Sequence, residues 1–168
     1  GMDIINNRRS IRNYKGKKVE KEKIEKLLRA AMQAPSAGNQ QPWEFIVLED
    51  RENIDKLSNF SKYANSLKTA PLAIVLLADE EKMKISEMWE QDMAAAAENI
   101  LLEAAYLDLG AVWLGAQPIE ERVKNLKEMF NLKSNIKPFC VISVGYPENS
   151  ENKFIDRFDA KRIHIEKY

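Results

Sequence analysis

The chain has 168 residues, 45% of them hydrophobic, with six Gly and six Pro. This composition fits one folded domain and excludes disordered and collagen-like chains. Lys and Arg total 26, as do Asp and Glu, so the net charge is zero and the whole chain offers no strong field to nucleic acid or an anionic membrane. One cysteine, Cys140, leaves no internal disulfide and fits a reducing compartment. One histidine, His164, argues against a zinc site, which takes three or four ligands.

Gly1 ahead of Met2 reads as the remnant of a cleaved tag, and no apolar core segment of a signal peptide follows it. No apolar run approaches the ~20 residues of a membrane helix. The longest, Leu72 to Ala78, has the length of a strand. The expected setting is the cytoplasm.

Val19 to Ala34 reads as a helix, because Ile24, Leu27, Leu28 and Ala31 form one apolar stripe. Pro35 stops it at Ala34. Pro35 to Pro42 is rich in breakers and reads as a loop, and Glu44 to Leu48 follows as a strand. Arg51 to Ala70 is helical or irregular. Leu72 to Leu77 is apolar throughout and is expected to be a strand buried on both faces. Ser86 to Leu109 carries the longest helical periodicity, with Gly110 as a C-terminal cap. Ala111 to Leu114 reads as a strand, Glu120 to Phe130 as a helix and Phe139 to Val144 as a strand ending in Gly145-Tyr146-Pro147. The tail from Glu148 to Tyr168 is charged but spaces Phe154, Ile155, Phe158, Ile163 and Ile165 along it, so it is expected to dock on something, a partner subunit being one candidate. Few strands with helices between them suggest an α/β or α+β sheet covered by helices.

Three stretches could carry chemistry. Arg8 to Lys18 holds six basic residues and no acid. A helical turn would place Arg8 and Arg12 on one face with Ser10 between them. Two guanidinium forks and a hydroxyl suit a phosphate dianion, although a solvated basic end has the same composition. Pro35 to Trp43 offers Ser36, Asn39, Gln40 and Gln41, with Gly38 allowing close backbone approach. Such amides suit a planar heterocycle, or simply a turn. Gly110 to Pro118 could expose backbone N–H groups near Gly115. No G-x-G-x-x-G, Walker or G-x-S-x-G motif occurs. Cys140 lies in an apolar strand and His164 in a charged tail, so neither reads as a catalytic group. A chain without a nucleophile or metal ligands needs a bound cofactor for difficult chemistry, and these stretches together suit a phosphorylated heterocycle.

With these motifs in this order, the sequence resembles the nitroreductase family of FMN-dependent oxidoreductases. The resemblance rests on Arg8-Arg9-Ser10-Ile11-Arg12, on Ala34 to Trp43, on the long helix followed by Gly110 to Gly115, and on Gly145-Tyr146-Pro147 with Arg157-Phe158. It implies an α+β fold: a mixed, largely antiparallel sheet wrapped by helices, in an intertwined homodimer with FMN at the interface. Arg8, Ser10, Arg12 and Arg157 match positions that hold the phosphate and ribityl chain, and Arg9 matches one that contacts through its backbone. Pro35, Ser36, Ala37 and Asn39 match the loop that reaches the flavin of the other subunit. Leu114 and Gly115 match the segment along the isoalloxazine ring, where a backbone N–H faces N5. NADH or NADPH is the implied co-substrate, and a nitroaromatic, quinone or other small conjugated molecule the acceptor. The chain is short for the family and lacks its helical lid insert. It carries no Ser or Thr in Leu114-Gly115-Ala116, which argues for hydride over radical chemistry. A flavin-binding carrier or sensor without turnover has the same motifs; a nucleic-acid-binding reading of Arg8 to Lys18 meets the zero net charge.

Overall fold

The structure is a computed structural model that describes residues 3–168. Gly1 and Met2, with the expected tag remnant, lie outside the described residues. In chain order the elements are α1 (Asp3–Asn7), α2 (Lys21–Met32), β1 (Trp43–Leu48), α3 (Arg51–Leu57), β2 (Leu72–Asp79), α4 (Trp89–Tyr106), β3 (Gly110–Gly115), α5 (Glu120–Met129) and β4 (Ile136–Gly145). Short 3-10 turns include Ala37–Asn39, Ser58–Phe60 and Asn65–Lys68.

The strands form one sheet in the order β1-β2-β4-β3, and every neighbouring pair is antiparallel. Among the described residues the parallel component is a single bridge from Ser10 to Ala111. β2 is apolar at every position but its last because helices cover both faces of the sheet. Leu72, Ile74, Leu76, Ile142 and Val144 meet α2 and α4 on one side. Ala73, Val75, Leu77 and Val141 meet Ile54, Leu57 and Leu126 of α3 and α5 on the other. The α+β architecture expected from the sequence is therefore present.

The irregular stretch after β1 resolves into α3, capped by Asp50 accepting the Glu52 N–H at 3.1 Å, followed by two 3-10 turns that bury Phe60 and Leu67. β4 starts before Phe139. Pro138 lacks an N–H, yet the ladder shifts register at Leu76/Leu77 where it pairs, and such an irregularity accommodates proline. Gly110 is not the cap of α4. The helix ends at Tyr106 and Asp108 takes the left-handed turn at φ 62°. Asp tolerates that conformation because its short polar side chain bonds locally.

Gly110 serves a different purpose. It opens β3 where the segment before Tyr14 crosses, and a Cβ there would stand 2.6 Å from Ile11 Cβ. Gly145 likewise would place a Cβ 2.7 Å from Pro71 and 2.9 Å from Tyr14. These two glycines admit the N-terminal arm against the sheet. Gly110→Ala is expected to force the arm away and destabilise the protein by about 1–3 kcal/mol, as overpacking does. A chemical denaturation midpoint equal to wild type would refute the close-approach role.

Candidate functional site

The arm from Arg8 to Arg12 is extended, not a helical turn. α1 ends at Asn7, Ser10 bridges Ala111, and the Ile11 N–H donates to the Ala111 carbonyl at 3.0 Å. The expectation of helical spacing is thus corrected. Arg8 and Ser10 line two different openings, and Arg12 lines neither. Ile11 is buried, while Ser10 and Arg12 are exposed. Tyr14 anchors the end of the arm. Its hydroxyl donates to the Ile11 carbonyl and meets Ser143 Oγ at 2.8 Å, and Ser143 Oγ reaches Ser66 Oγ at 2.9 Å. Burial pushes the phenol well above the usual tyrosine range, so it stays neutral.

Arg9 is held by its backbone. Its N–H donates to Asn152 Oδ1 at 3.0 Å, and Asn152 Nδ2 donates to the Leu109 carbonyl at 3.0 Å. Asn152 therefore ties the arm, the turn after α4 and the tail together. Nothing in its local sequence marked it. The resemblance gave Arg9 a backbone contact to the cofactor, and of its two backbone groups the N–H is taken by Asn152 within the chain. Its side chain behaves otherwise: Nη1 is buried with no hydrogen-bond partner among the described residues. A buried donor without a partner costs about 1–3 kcal/mol, more when charged, and an anionic oxygen is the group that relieves it best. Arg8, Arg9, Asn6, Asp156 and Arg157 line a cavity of about 400 Å³. A second opening of about 480 Å³ is lined by Arg9, Ser10, Asn149, Ser150 and Lys153. Arg8, Arg9 and Arg157 thus converge on one basic recess, and Arg9 also lines the second opening, where Glu151 stands beside Lys153.

The loop before β1 is a separate place. Gly38, Asn39 and Gln41 adopt positive φ, at 55°, 53° and 47°. For the two non-glycine residues this conformation costs of order 1 kcal/mol or more each and persists only when neighbours enforce it. Ser36 Oγ accepts the Gln41 N–H at 3.0 Å, and Asn39 Oδ1 accepts from Gln41 Nε2 at 3.0 Å. Gln40 turns inward rather than toward a ligand and is 7% exposed. Its Nε2 donates to Asp92 Oδ2 at 2.5 Å and to the Ile85 carbonyl at 3.1 Å, and its Oε1 accepts the Lys84 and Ile85 N–H groups at 2.9 and 3.0 Å. Asp92 Oδ1 accepts the Ala37 N–H at 2.8 Å. The sequence held one signal for Asp92: a carboxylate on the buried stripe formed by Trp89, Met93 and Ala96.

The third place is the end of β3. Leu114 packs half-buried on the α5 side of the sheet, while Trp113 meets Phe139 on the other face at 5.8 Å. A Cβ added to Gly115 would meet nothing within 4 Å, so open space lies over this backbone. The Gly115 carbonyl accepts from Arg122 Nη1 at 3.1 Å, which braces the strand end.

The candidate residues thus fall in three places within the chain: Arg8, Arg9 and Arg157 around the basic recess, with Ser10 at the second opening and Arg12 exposed farther along the arm; Pro35, Ser36, Ala37 and Asn39 on the loop; Leu114 and Gly115 at the strand end. The loop side chains bond within the loop and to 84–85 and α4. Cys140 is fully buried and its thiol pushed far up by burial, while His164 is exposed and stacks on Tyr168 at 4.2 Å. The unpartnered arginine donor, the basic recess and the open backbone at Gly115 fit a ligand with a phosphate at one end and a flat ring at the other.

The model of the nitroreductase family matches residues 5–91 and 61–146. The chain belongs to the nitroreductase family. A relative from Archaeoglobus fulgidus, under a provisional NADH dehydrogenase/NAD(P)H nitroreductase name, is 48% identical over 99% of this chain and 98% of its own. The solved FMN-dependent nitroreductase of Clostridium difficile R20291 superposes with a TM-score of 0.91 at 36% identity, covering 100% of both chains. A nitroreductase of provisional name from Desulfovibrio desulfuricans, solved in complex with FMN, superposes with a TM-score of 0.84 at 30% identity, over 99% of this chain and 96% of that one. No helix among the described residues of this nitroreductase-family chain is long and apolar enough to cross a membrane.

Proposed function

We propose that the chain is an FMN-dependent oxidoreductase that carries reducing equivalents from NADH or NADPH to a small conjugated acceptor, such as a nitroaromatic or a quinone, by a ping-pong cycle in a cytoplasmic homodimer. The observation that carries this reading is the buried, unpartnered Nη1 of Arg9 at the recess lined by Arg8 and Arg157. The names of the Clostridium and Desulfovibrio proteins support FMN as the ligand.

When bound, FMN supplies the redox chemistry, taking a hydride at N5 from the nicotinamide and returning electrons to the acceptor. The protein's part is to bind and to orient. Arg8, Arg12 and Arg157 hold the phosphate by charge-assisted hydrogen bonds, with Ser10 adding a hydroxyl and Arg9 a side-chain donor. Pro35, Ser36, Ala37 and Asn39 close over the cofactor of the partner subunit. Leu114 and Gly115 leave a flat, open backbone surface for the ring, with an N–H available to its N5.

On this reading no side chain performs the chemical step. Cys140→Ala and His164→Ala are expected to keep kcat within a few-fold of wild type, a barrier change under ~1.4 kcal/mol. A loss of several orders of magnitude with FMN retained would point to a side-chain acid or nucleophile. The reading itself is tested by reconstituting the purified protein with FMN, desalting, and taking the absorbance spectrum before and after denaturation. One FMN retained per chain supports it, and a colourless protein refutes it.

A further inference from the structure

Resting on the FMN reading, we propose that Asp92 and Gln40 are positioning residues that set the loop from Pro35 to Pro42 against the flavin ring. The loop carries left-handed residues on both sides of Gln40, at Asn39 and Gln41. Its own bonds, from Gln41 to Ser36 and Asn39, are local and exposed. The fixed points are buried. Asp92 takes the Ala37 N–H on one oxygen and the Gln40 amide on the other. Gln40 then uses both ends of its amide on the backbone of Lys84 and Ile85.

The donor and acceptor pattern allows only one arrangement. Gln40 cannot flip, because its NH₂ would then face the two N–H groups of Lys84 and Ile85. Position 92 must therefore accept twice. A carboxylate does so and an amide does not. Asparagine there would set an NH₂ against the Gln40 NH₂ or, turned over, against the Ala37 N–H. Ala37 and Asn39 lie on either side of Gly38, so a disturbance at Asp92 reaches the loop directly. It does not touch the basic recess, which is built from other residues.

The test is titration of the apoprotein with FMN and with riboflavin, which lacks the phosphate. Asp92→Asn is expected to weaken both by the same factor, at least tenfold, and to shift the visible band of the bound flavin at saturating FMN. Arg12→Ala weakens FMN at least tenfold, leaves riboflavin within threefold, and leaves the band in place. Combining Asp92→Asn with Gln40→Glu restores an acceptor opposite the asparagine amide while still accepting from Lys84 and Ile85, but it gives up the bond to the Ile85 carbonyl and sets a carboxylate oxygen against it. It should therefore recover only part of the lost affinity. Should Asp92→Asn show no folding transition, Gln40→Met, which keeps the buried volume and removes the amide, is read by the same criteria. The inference is overturned if the variant binds both flavins as wild type does, if FMN alone is weakened, or if the combined substitution recovers nothing. A wild-type protein that binds neither flavin overturns the FMN reading first and this inference with it, so the two failures are distinguishable.

Discussion

Arg12→Ala is expected to weaken FMN binding about ten- to a hundredfold, since one charged hydrogen bond to phosphate is worth roughly 1.5–3 kcal/mol. Arg12 lies exposed on the extended arm, on the side it shares with Ser10 and opposite buried Ile11. Its removal therefore deletes a donor without disturbing the core. Arg8→Ala should behave similarly, and excess FMN should restore part of the activity because the ring site is intact. Equilibrium dialysis of FMN against each variant measures the loss. Wild-type affinity in Arg12→Ala would remove the arm from the phosphate site.

Truncation after Tyr146 is expected to have the larger consequence: loss of FMN together with loss of the dimer. Three observations combine here. Phe158 and Ile165 are 77% and 75% exposed, so the tail's large apolar side chains find no core within the chain. Asn152 holds the Arg9 backbone from the tail. Arg157 contributes to the recess. An intertwined partner that buried these side chains would hide more than ~2,000 Å². The shortened chain should therefore aggregate or run as an unstable, flavin-free species in light scattering. A stable monomer loaded with FMN would contradict both the interface and the role of Arg157.

The core was legible in the sequence because its signals are local. The continuous apolar run of β2 announced burial on both faces, and the stripe through Trp89, Met93 and Ala97 announced α4. Boundaries failed where a contact distant in sequence decides. Gly110 looked like a helix cap because glycine commonly ends helices, yet the crowding that requires it comes from Ile11. The arm looked helical from the spacing of Arg8 and Arg12, whereas its pairing with Ala111 draws it into an extended path. At the site, the charged and amide residues were visible by type, but their direction was not. Gln40 resembled a ligand-facing amide and instead locks the loop to Asp92, some fifty residues away. Asn152 carried no signal, because its two bonds depend on how the tail folds back on the arm.

The central claim is that bound FMN accepts reducing equivalents from a nicotinamide and passes them to a second molecule. Anaerobic stopped-flow tests it directly. The FMN-loaded protein is mixed with NADH, and separately with NADPH, and the flavin absorbance is followed before a quinone or nitroaromatic is added. The account predicts rapid bleaching with at least one nicotinamide and recovery of the band on adding the acceptor. A flavin band that both nicotinamides leave unbleached would contradict it and leave the protein a flavin carrier.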